Sequence, residues 1–173
     1  MTLEFILYTS ESEGVLSERD VWDIVYRSVR NNEQDKITGF LHHCDGHFLQ
    51  YLEGPPEVLQ FRVDRISGDP RHRSLKVIAM GPLSQRLFPE WDMGLIDPVS
   101  IPKRGLLFRR SWTKAIHELE PEAILGAITR HSGAVSRLSL KAGPHAGAFF
   151  PARIVSAAKS LTGRGFRGFS RRT

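Results

Sequence analysis

Two polar residues, Tyr8 and Gln50, lie in short apolar segments that are typical of β-strands. Side chains alternate along a strand, so Gln50 shares one face with Phe48 and Leu52. A buried primary amide without a partner costs about 1 to 3 kcal/mol, so Gln50 is expected to have one. Tyr8 ends its strand, and its phenol could donate to the amide. Spacing alone favours a structural Tyr–Gln hydrogen bond over a functional one.

A second candidate set lies in the segment His42-His43-Cys44-Asp45-Gly46-His47. With a two-residue turn, Cys44 would pair with His47, and His42 would lie on the same face. Thiolate and imidazole are zinc ligands, but no fourth ligand is apparent and the spacing matches no zinc pattern. A polar hairpin end is the favoured interpretation, and no metal site is predicted.

The sequence lacks the common motifs of substrate chemistry. It has no G-x-x-x-x-G-K-[ST] phosphate loop, no G-x-G-x-x-G after a strand and no nucleophile elbow. Chemistry on a bound substrate is not indicated, so we predict that the chain is not an enzyme.

Turn residues and apolar periodicity predict the elements that position these side chains. Ser17, with Asp20 three residues later, predicts the start of a helix that ends near Asn31-Asn32. Asp45-Gly46 suits a type I′ hairpin, and Gly54-Pro55-Pro56 opens a second helix. Strands are predicted over Phe5–Tyr8, Ile37–His43, His47–Glu53, Leu75–Met80 and Trp91–Ile96.

The predicted order β-α-β-β-α-β-β is that of an α+β, ferredoxin-like fold with an extra strand and both helices on one face. Strands 1 and 4 are apolar at nearly every position, which is typical of a sheet covered on both faces. The helical stretches Leu106–Leu119 and Pro121–Arg130 are the candidates for the second cover. Trp112, Ile116 and Leu119 are their predicted buried residues.

Charge is distributed unevenly along the 173 residues, whose net charge is +5. Glu122 is the last acidic residue and nine Lys or Arg follow it, so the preceding part is net acidic. A basic tail can attract nucleic acid, acidic lipid or an acidic partner, but solvated disorder explains it equally well. The segment 163–169 resembles the Arg-Gly-Phe stretches of RNA binders, which is a weak signal.

The chain has no run of about 18 apolar residues, so no membrane span is predicted. Cys44 is the only cysteine, and a reducing compartment therefore removes no disulfide. The cytoplasm is the predicted location.

Eight short fragments stand in a fixed order between about residues 3 and 98. They are Leu7-Tyr8, Leu16-Ser17, Asn31-Asn32, Ile37-Thr38-Gly39, Gly46-His47-Phe48-Leu49-Gln50, Leu52-Glu53-Gly54-Pro55, Asp69-Pro70-Arg71-His72 and Phe88-x-x-Trp91-x-Met93-Gly94. Each is weak alone, but together they resemble the BLUF family of blue-light photoreceptors. The resemblance implies a ferredoxin-like domain whose two helices hold a flavin, normally FAD, with FMN or riboflavin as possible substitutes. Lys36 and Tyr51 depart from the residues usual in that family.

The resemblance also implies roles for individual residues. Tyr8 would be the photochemical donor of an electron and a proton, and Gln50 the amide between Tyr8 and the flavin. Trp91 and Met93 would correspond to strand residues linked to signalling. The implied cofactor-binding positions are Ile24, Asn31, Asn32, Phe48, Gln50, Arg65, Ile66, Asp69 and His72.

These expectations define three regions: a flavin-binding domain (1–98), a C-terminal helical cap (99–132) and a basic, flexible tail (133–173). Too few residues follow strand 5 for a cyclase or phosphodiesterase domain. Output is therefore predicted to pass through an unidentified downstream protein or through self-association as a homo-oligomer, with nucleic-acid binding by the tail as a weaker alternative.

Two rival classes share the ferredoxin-like fold. An RNA-recognition module would carry a basic-aromatic motif in the third strand, and residues 47–52 lack one. An acylphosphatase-type enzyme would need an Arg/Asn phosphate cradle, which we do not find in the sequence.

Overall fold

The computed structural model describes residues 2–96, 116–130 and 135–138. Three helices and six strands are described. The helices are α1 (Glu18–Asp35), α2 (Pro56–Ser67) and α3 (Pro121–Arg130). The strands are β1 (Leu3–Ser12), β2 (Thr38–Cys44), β3 (His47–Gly54), β4 (His72–Leu83), β5 (Met93–Ile96) and β6 (Val135–Leu138).

The strands form one sheet in the order β4-β1-β3-β2-β5-β6. β1 runs antiparallel to β3 and β4, and β2 runs antiparallel to β3 but parallel to β5. The predicted order of elements and the α+β, ferredoxin-like fold are confirmed.

Local signals set the ends of α1. The Asp20 N–H donates to Ser17 Oγ, and the Ser17 N–H donates back to Asp20 Oδ2 at 2.8 Å, so the predicted capping box is present. The helix continues past the predicted end at Asn31-Asn32 to Asp35. It ends there because Lys36, with φ 54°, adopts the left-handed conformation that closes the last turn.

The predicted turn chemistry also holds at the other connections. Asp45 and Gly46 both have positive φ, at 50° and 75°, as a type I′ hairpin requires. α2 begins at Pro56 and is closed by Gly68. Gly39 allows close packing within the sheet, since a Cβ there would lie 2.0 Å from the carbonyl oxygen of Tyr51.

Two strands are longer than predicted and one is shorter. β1 and β4 extend well beyond their apolar cores, because pairing continues from Leu3 with Leu83 to Ser12 with His72. β5 begins later than predicted, at Met93, and Trp91 lies in the loop before it. The sequence pattern marks which residues are apolar but not where the backbone pairing stops.

Both faces of the sheet are covered. One face, which we call the near face, packs against α1 and α2 through residues such as Ile24, Val25 and Val63. The opposite, far face packs against Ile116 and α3. α3 and residues 116–119 thus cover the far face after strand 5 as predicted, with Ile116 fully buried and Leu119 partly buried. Trp112 and most of the predicted helix 106–119 lie outside the described residues.

Four residues of the predicted flexible tail form β6, which pairs antiparallel with β5. The tail's composition gave no sign of this strand, because its pairing partner is distant in sequence. The boundaries of the three predicted regions stay predictions. In the part of the chain that the structure describes, no helix is long and apolar enough to cross a membrane.

Candidate functional site

A cavity of about 410 Å³ lies between α1, α2 and the near face of the sheet. This volume is within the range of about 300 to 1,000 Å³ that is usual for small-molecule sites. Apolar side chains line its middle, and amide, basic and acidic side chains line its ends. The lining residues are Ile24, Arg27, Ser28, Asn31, Asn32, Gln50, Leu52, Arg62, Arg65, Ile66, Gly68, Asp69, Pro70, Arg71 and His72.

Tyr8 and Gln50 meet beside this cavity. They are direct partners in the register of β1 and β3, so their side chains lie on the same face. The Tyr8 hydroxyl donates to Gln50 Oε1, and both residues are buried. Burial raises the pKa of Tyr8 far above its usual value, so the phenol keeps its proton. The neutral phenol of Tyr8 is therefore a hydrogen-bond donor to the side-chain amide oxygen of Gln50.

The other end of the Gln50 amide points to β5. Gln50 Nε2 lies 4.0 Å from Met93 Sδ, a distance at which the sulfur acts as a weak acceptor. Met93 is fully buried on the near face. Gln50 therefore bridges Tyr8 and Met93, and each end of its amide has a different partner.

Asn32, in the cavity wall, contacts the residue that immediately precedes β5. Its side-chain Nδ2 donates to the backbone carbonyl of Asp92 at 2.8 Å, and the residue is only 1% exposed. Asn31, its neighbour, is exposed at the protein surface but also lines the cavity. Two amides of the cavity wall, those of Asn32 and Gln50, thus contact consecutive residues at the start of β5.

Asp69 and His72 stand at the polar end of the cavity. Hydrogen bonds from the Arg71 side chain hold the pKa of Asp69 at about 2, so it is a carboxylate. Burial lowers the pKa of His72 to about 4, so this imidazole is neutral near pH 7, and its Nδ1 lies 2.9 Å from Ser10 Oγ. Phe48 packs on the His72 ring, with centroids 4.5 Å apart.

Four arginines line the cavity, of which only Arg65 was a predicted cofactor-binding residue. Arg62 forms an ion pair with Asp35, and Arg71 pairs with Asp69. Arg27 and Arg62 were missed, although the spacing of Arg62 and Arg65 on one helix face was a usable signal. Basic side chains therefore gather at the cavity from α1, α2 and the loop that follows α2.

Eight of the nine predicted cofactor-binding residues line this single cavity. The exception is Phe48, which is fully buried in the near-face core beside it. Their binding role stays a prediction. Trp91 and Met93 are separated, because Trp91 packs in the far-face core and Met93 in the near-face core.

The hairpin end shows no metal geometry. Among the described residues, no three His, Cys, Asp or Glu side chains converge on a point that could hold an ion. His42 Nδ1 instead lies 2.9 Å from the carbonyl oxygen of Ile96, which ties β2 to β5.

The chain is similar to several known light-responsive proteins. The photoactivated adenylate cyclase subunit beta of Euglena gracilis is 38% identical over 93 residues, which are 53% of this chain and 11% of that protein. The blue light- and temperature-regulated antirepressor BluF of Escherichia coli (strain K12) is 30% identical over 95 residues, 55% of this chain and 24% of that protein. The chain thus spans only about a tenth of the length of the cyclase subunit.

A solved structure and a family model agree with these matches. The dark-state structure of BlrB, a BLUF protein, superposes with a TM-score of 0.60 at 25% identity, covering 76% of this chain and 96% of BlrB. Residues 3–94, more than half of the chain, match the family model described as BLUF, sensors of blue-light using FAD. The chain therefore belongs to the BLUF family of flavin-based blue-light sensors.

Proposed function

We propose that the cavity binds FAD and that Tyr8 and Gln50 form the light switch of a blue-light photoreceptor. The observation that carries the proposal is the buried hydrogen bond from the Tyr8 hydroxyl to Gln50 Oε1 at the cavity wall. A phenol, an amide that can both donate and accept, and a cavity of flavin-compatible size are the parts that such a switch needs.

The lining of the cavity fits a flavin from one end to the other. Ile24, Leu52 and Ile66 would provide apolar walls for the ring. Asn31, Asn32 and Gln50 would face its carbonyl and nitrogen edge, where an amide can match both donors and acceptors.

The charged end of the cavity suits the remainder of the cofactor. Arg65, Arg71, Asp69 and His72 all line this end and would face the ribityl chain and phosphates. Arginine binds phosphate well because its planar group offers several donors, so FAD is the proposed cofactor. FMN or riboflavin would use fewer of these contacts.

A bound flavin, once excited by blue light, supplies a strong oxidant next to the switch. Burial keeps Tyr8 a neutral phenol, and such a phenol loses an electron readily only if its proton leaves with it, because the oxidised phenol is a strong acid. Gln50 Oε1 already accepts the hydrogen bond and is placed to receive the proton. Rotation or tautomerisation of Gln50 would then change the groups that it presents to Tyr8 and Met93.

Output is proposed to leave the domain through β5 and the C-terminal segment, toward a downstream protein or a second copy of the chain. We do not propose cyclase activity, because the similarity to the cyclase subunit covers 11% of that protein. The cytoplasm is the proposed location.

The experiment is spectroscopic. Protein purified in the dark, or reconstituted with FAD, should absorb as a flavoprotein, and blue light should shift the bands reversibly to longer wavelength. Chromatography of the flavin released on denaturation should identify FAD, with FMN and riboflavin as standards. Failure to retain any flavin, or a bound flavin without a reversible shift, would contradict the proposal.

A further inference from the structure

The Glu53 side chain is fully buried near the end of β3, on the far face of the sheet. Burial raises the pKa of its carboxyl group, and the hydrogen bonds that the group accepts oppose that rise. Its Oε1 accepts hydrogen bonds from Thr38 Oγ1 at 2.9 Å and from the Phe88 N–H at 2.7 Å. Its Oε2 accepts from the Tyr51 hydroxyl at 3.0 Å and from the Leu87 N–H at 2.7 Å. Two of these four donors are consecutive backbone amides of the loop that joins β4 to β5, residues 84–92.

Arg86, in the same loop, forms hydrogen bonds with residues at the ends of β2 and β3. Its guanidinium donates to Thr38 Oγ1 at 2.9 Å, to the Glu53 carbonyl at 2.7 Å and to the Lys36 carbonyl. Residues 86–88 are therefore fixed to the ends of β2 and β3 by both a buried carboxyl group and an arginine.

The last two residues of this loop, Trp91 and Asp92, are held by hydrogen bonds from β2 and α1. The Gly39 N–H donates to the Trp91 carbonyl at 2.8 Å, and the side chain of Asn32 donates to the Asp92 carbonyl. Gln50 then contacts Met93. The Glu53 carboxyl group thus holds the middle of the loop, and Gly39 and Asn32 hold its end.

The loop geometry determines which side chain reaches Gln50. Residues two apart in a regular strand share a face, so Trp91 and Met93 would do so if β5 began at Trp91. They lie on opposite faces because the strand begins only at Met93. Phe88 packs on Trp91, with ring centroids 4.6 Å apart, and so keeps the indole on the far face.

We propose that Glu53 is a positioning residue for the light switch: by holding the Leu87 and Phe88 amides, it keeps Met93 in contact with Gln50. Its role in switching rests on the proposed function. Its effect on the position of Met93 does not, because the contacts involved are all between residues of this chain.

The hydrogen-bond pattern requires two acceptor oxygens at this position. Four donors converge on Glu53, and its two oxygens can accept all of them. In Glu53→Gln, an NH₂ group replaces one oxygen and faces two former donors. The Tyr51 hydroxyl can rotate to accept, but a backbone N–H cannot. The variant therefore loses at least one of the contacts to Leu87 and Phe88.

The test compares Glu53→Gln with Tyr51→Phe, which removes a donor from the same carboxyl group but leaves both loop amides bound. The chain has three methionines, so ¹³C-methyl methionine spectra are simple, and Met93→Ala assigns the Met93 signal. In the dark, Glu53→Gln should shift or broaden that signal, whereas Tyr51→Phe should leave it nearly unchanged. An unchanged Met93 signal in Glu53→Gln would overturn the proposal, whether or not the protein responds to light.

The second readout is the rate of dark recovery after blue light. Glu53→Gln should change it by at least about threefold, and should have no further effect in a Met93→Ala background, because coupled residues are not additive. An equal change in both backgrounds would overturn the proposed route through Met93. If Glu53→Gln does not fold, Arg86→Gln loosens the same loop from its exposed side, and the same comparisons and outcomes apply.

Discussion

Replacing Tyr8 with Phe should abolish the light response while leaving the flavin bound. The ring of Phe fills the same space in the near-face core, so packing against the neighbours of Tyr8 is kept. Only the hydroxyl that donates to Gln50 Oε1 is removed. The variant therefore separates the proton donor from the rest of the site.

The effect on stability can be worked out from the same contact. Gln50 is 4% exposed, so water cannot replace the lost donor, and a buried acceptor without a partner costs about 1 to 3 kcal/mol. Tyr51→Phe is a matched control, because Tyr51 is equally buried and donates to Glu53 on the far face. Both variants should lower the free energy of unfolding, Tyr51→Phe by less, because Glu53 Oε2 keeps the hydrogen bond from the Leu87 N–H.

The assay measures urea unfolding, flavin content and the light-induced difference spectrum of both variants. We expect a retained flavin in each, a normal red shift in Tyr51→Phe and none in Tyr8→Phe. A full, reversible shift in Tyr8→Phe would refute the assignment of Tyr8 as donor. Loss of the shift in both variants would attribute the effect to general destabilisation instead.

Three further predictions concern the cover, the histidine and the tail. Ile116→Asn should lower the free energy of unfolding, measured in urea, by at least about 1.5 to 3 kcal/mol, because a fully buried apolar side chain of the far face is lost. The exposed Glu118→Gln is the control and should not lower it, and an effect of Ile116→Asn as small as that of the control would mean that the cover is not needed. The pKa of His72 is lowered to about 4, so between about pH 4 and pH 6.5 the unfolded chain binds a proton on His72 that the folded chain does not. The free energy of unfolding should therefore fall as the pH drops from about 6.5 to 4, by roughly 3 kcal/mol at most from this residue. His72→Asn should flatten that slope in urea titrations, and an unchanged slope would contradict the assignment. Deleting residues 140–173 should preserve flavin content and red shift but weaken any salt-sensitive association, and loss of flavin would show that the tail belongs to the chromophore domain.

Local signals in the sequence determined the framework of the domain. The capping box at Ser17, the Asp45-Gly46 turn and the proline at the start of α2 act over a few residues, so they work in the same way in any fold. The alternation in β3 likewise placed Gln50 on the face of Phe48 and Leu52.

The position of the proposed light switch depended on pairing between distant strands. Tyr8 and Gln50 are 42 residues apart, and only the β1–β3 register makes them direct partners. In the sequence, spacing alone favoured a structural hydrogen bond between them, and only the family resemblance implied a photochemical role for the pair.

Only the tertiary structure separated Trp91 from Met93 and brought four hydrogen-bond donors to Glu53. Alternation would put two residues spaced by two on one face, but a loop held by four distant hydrogen bonds delays the start of β5. The short strand β6 was likewise invisible in the composition of the tail. Propensity and periodicity report on near neighbours in the chain, whereas these features arise from contacts between segments that meet only when the sheet has formed.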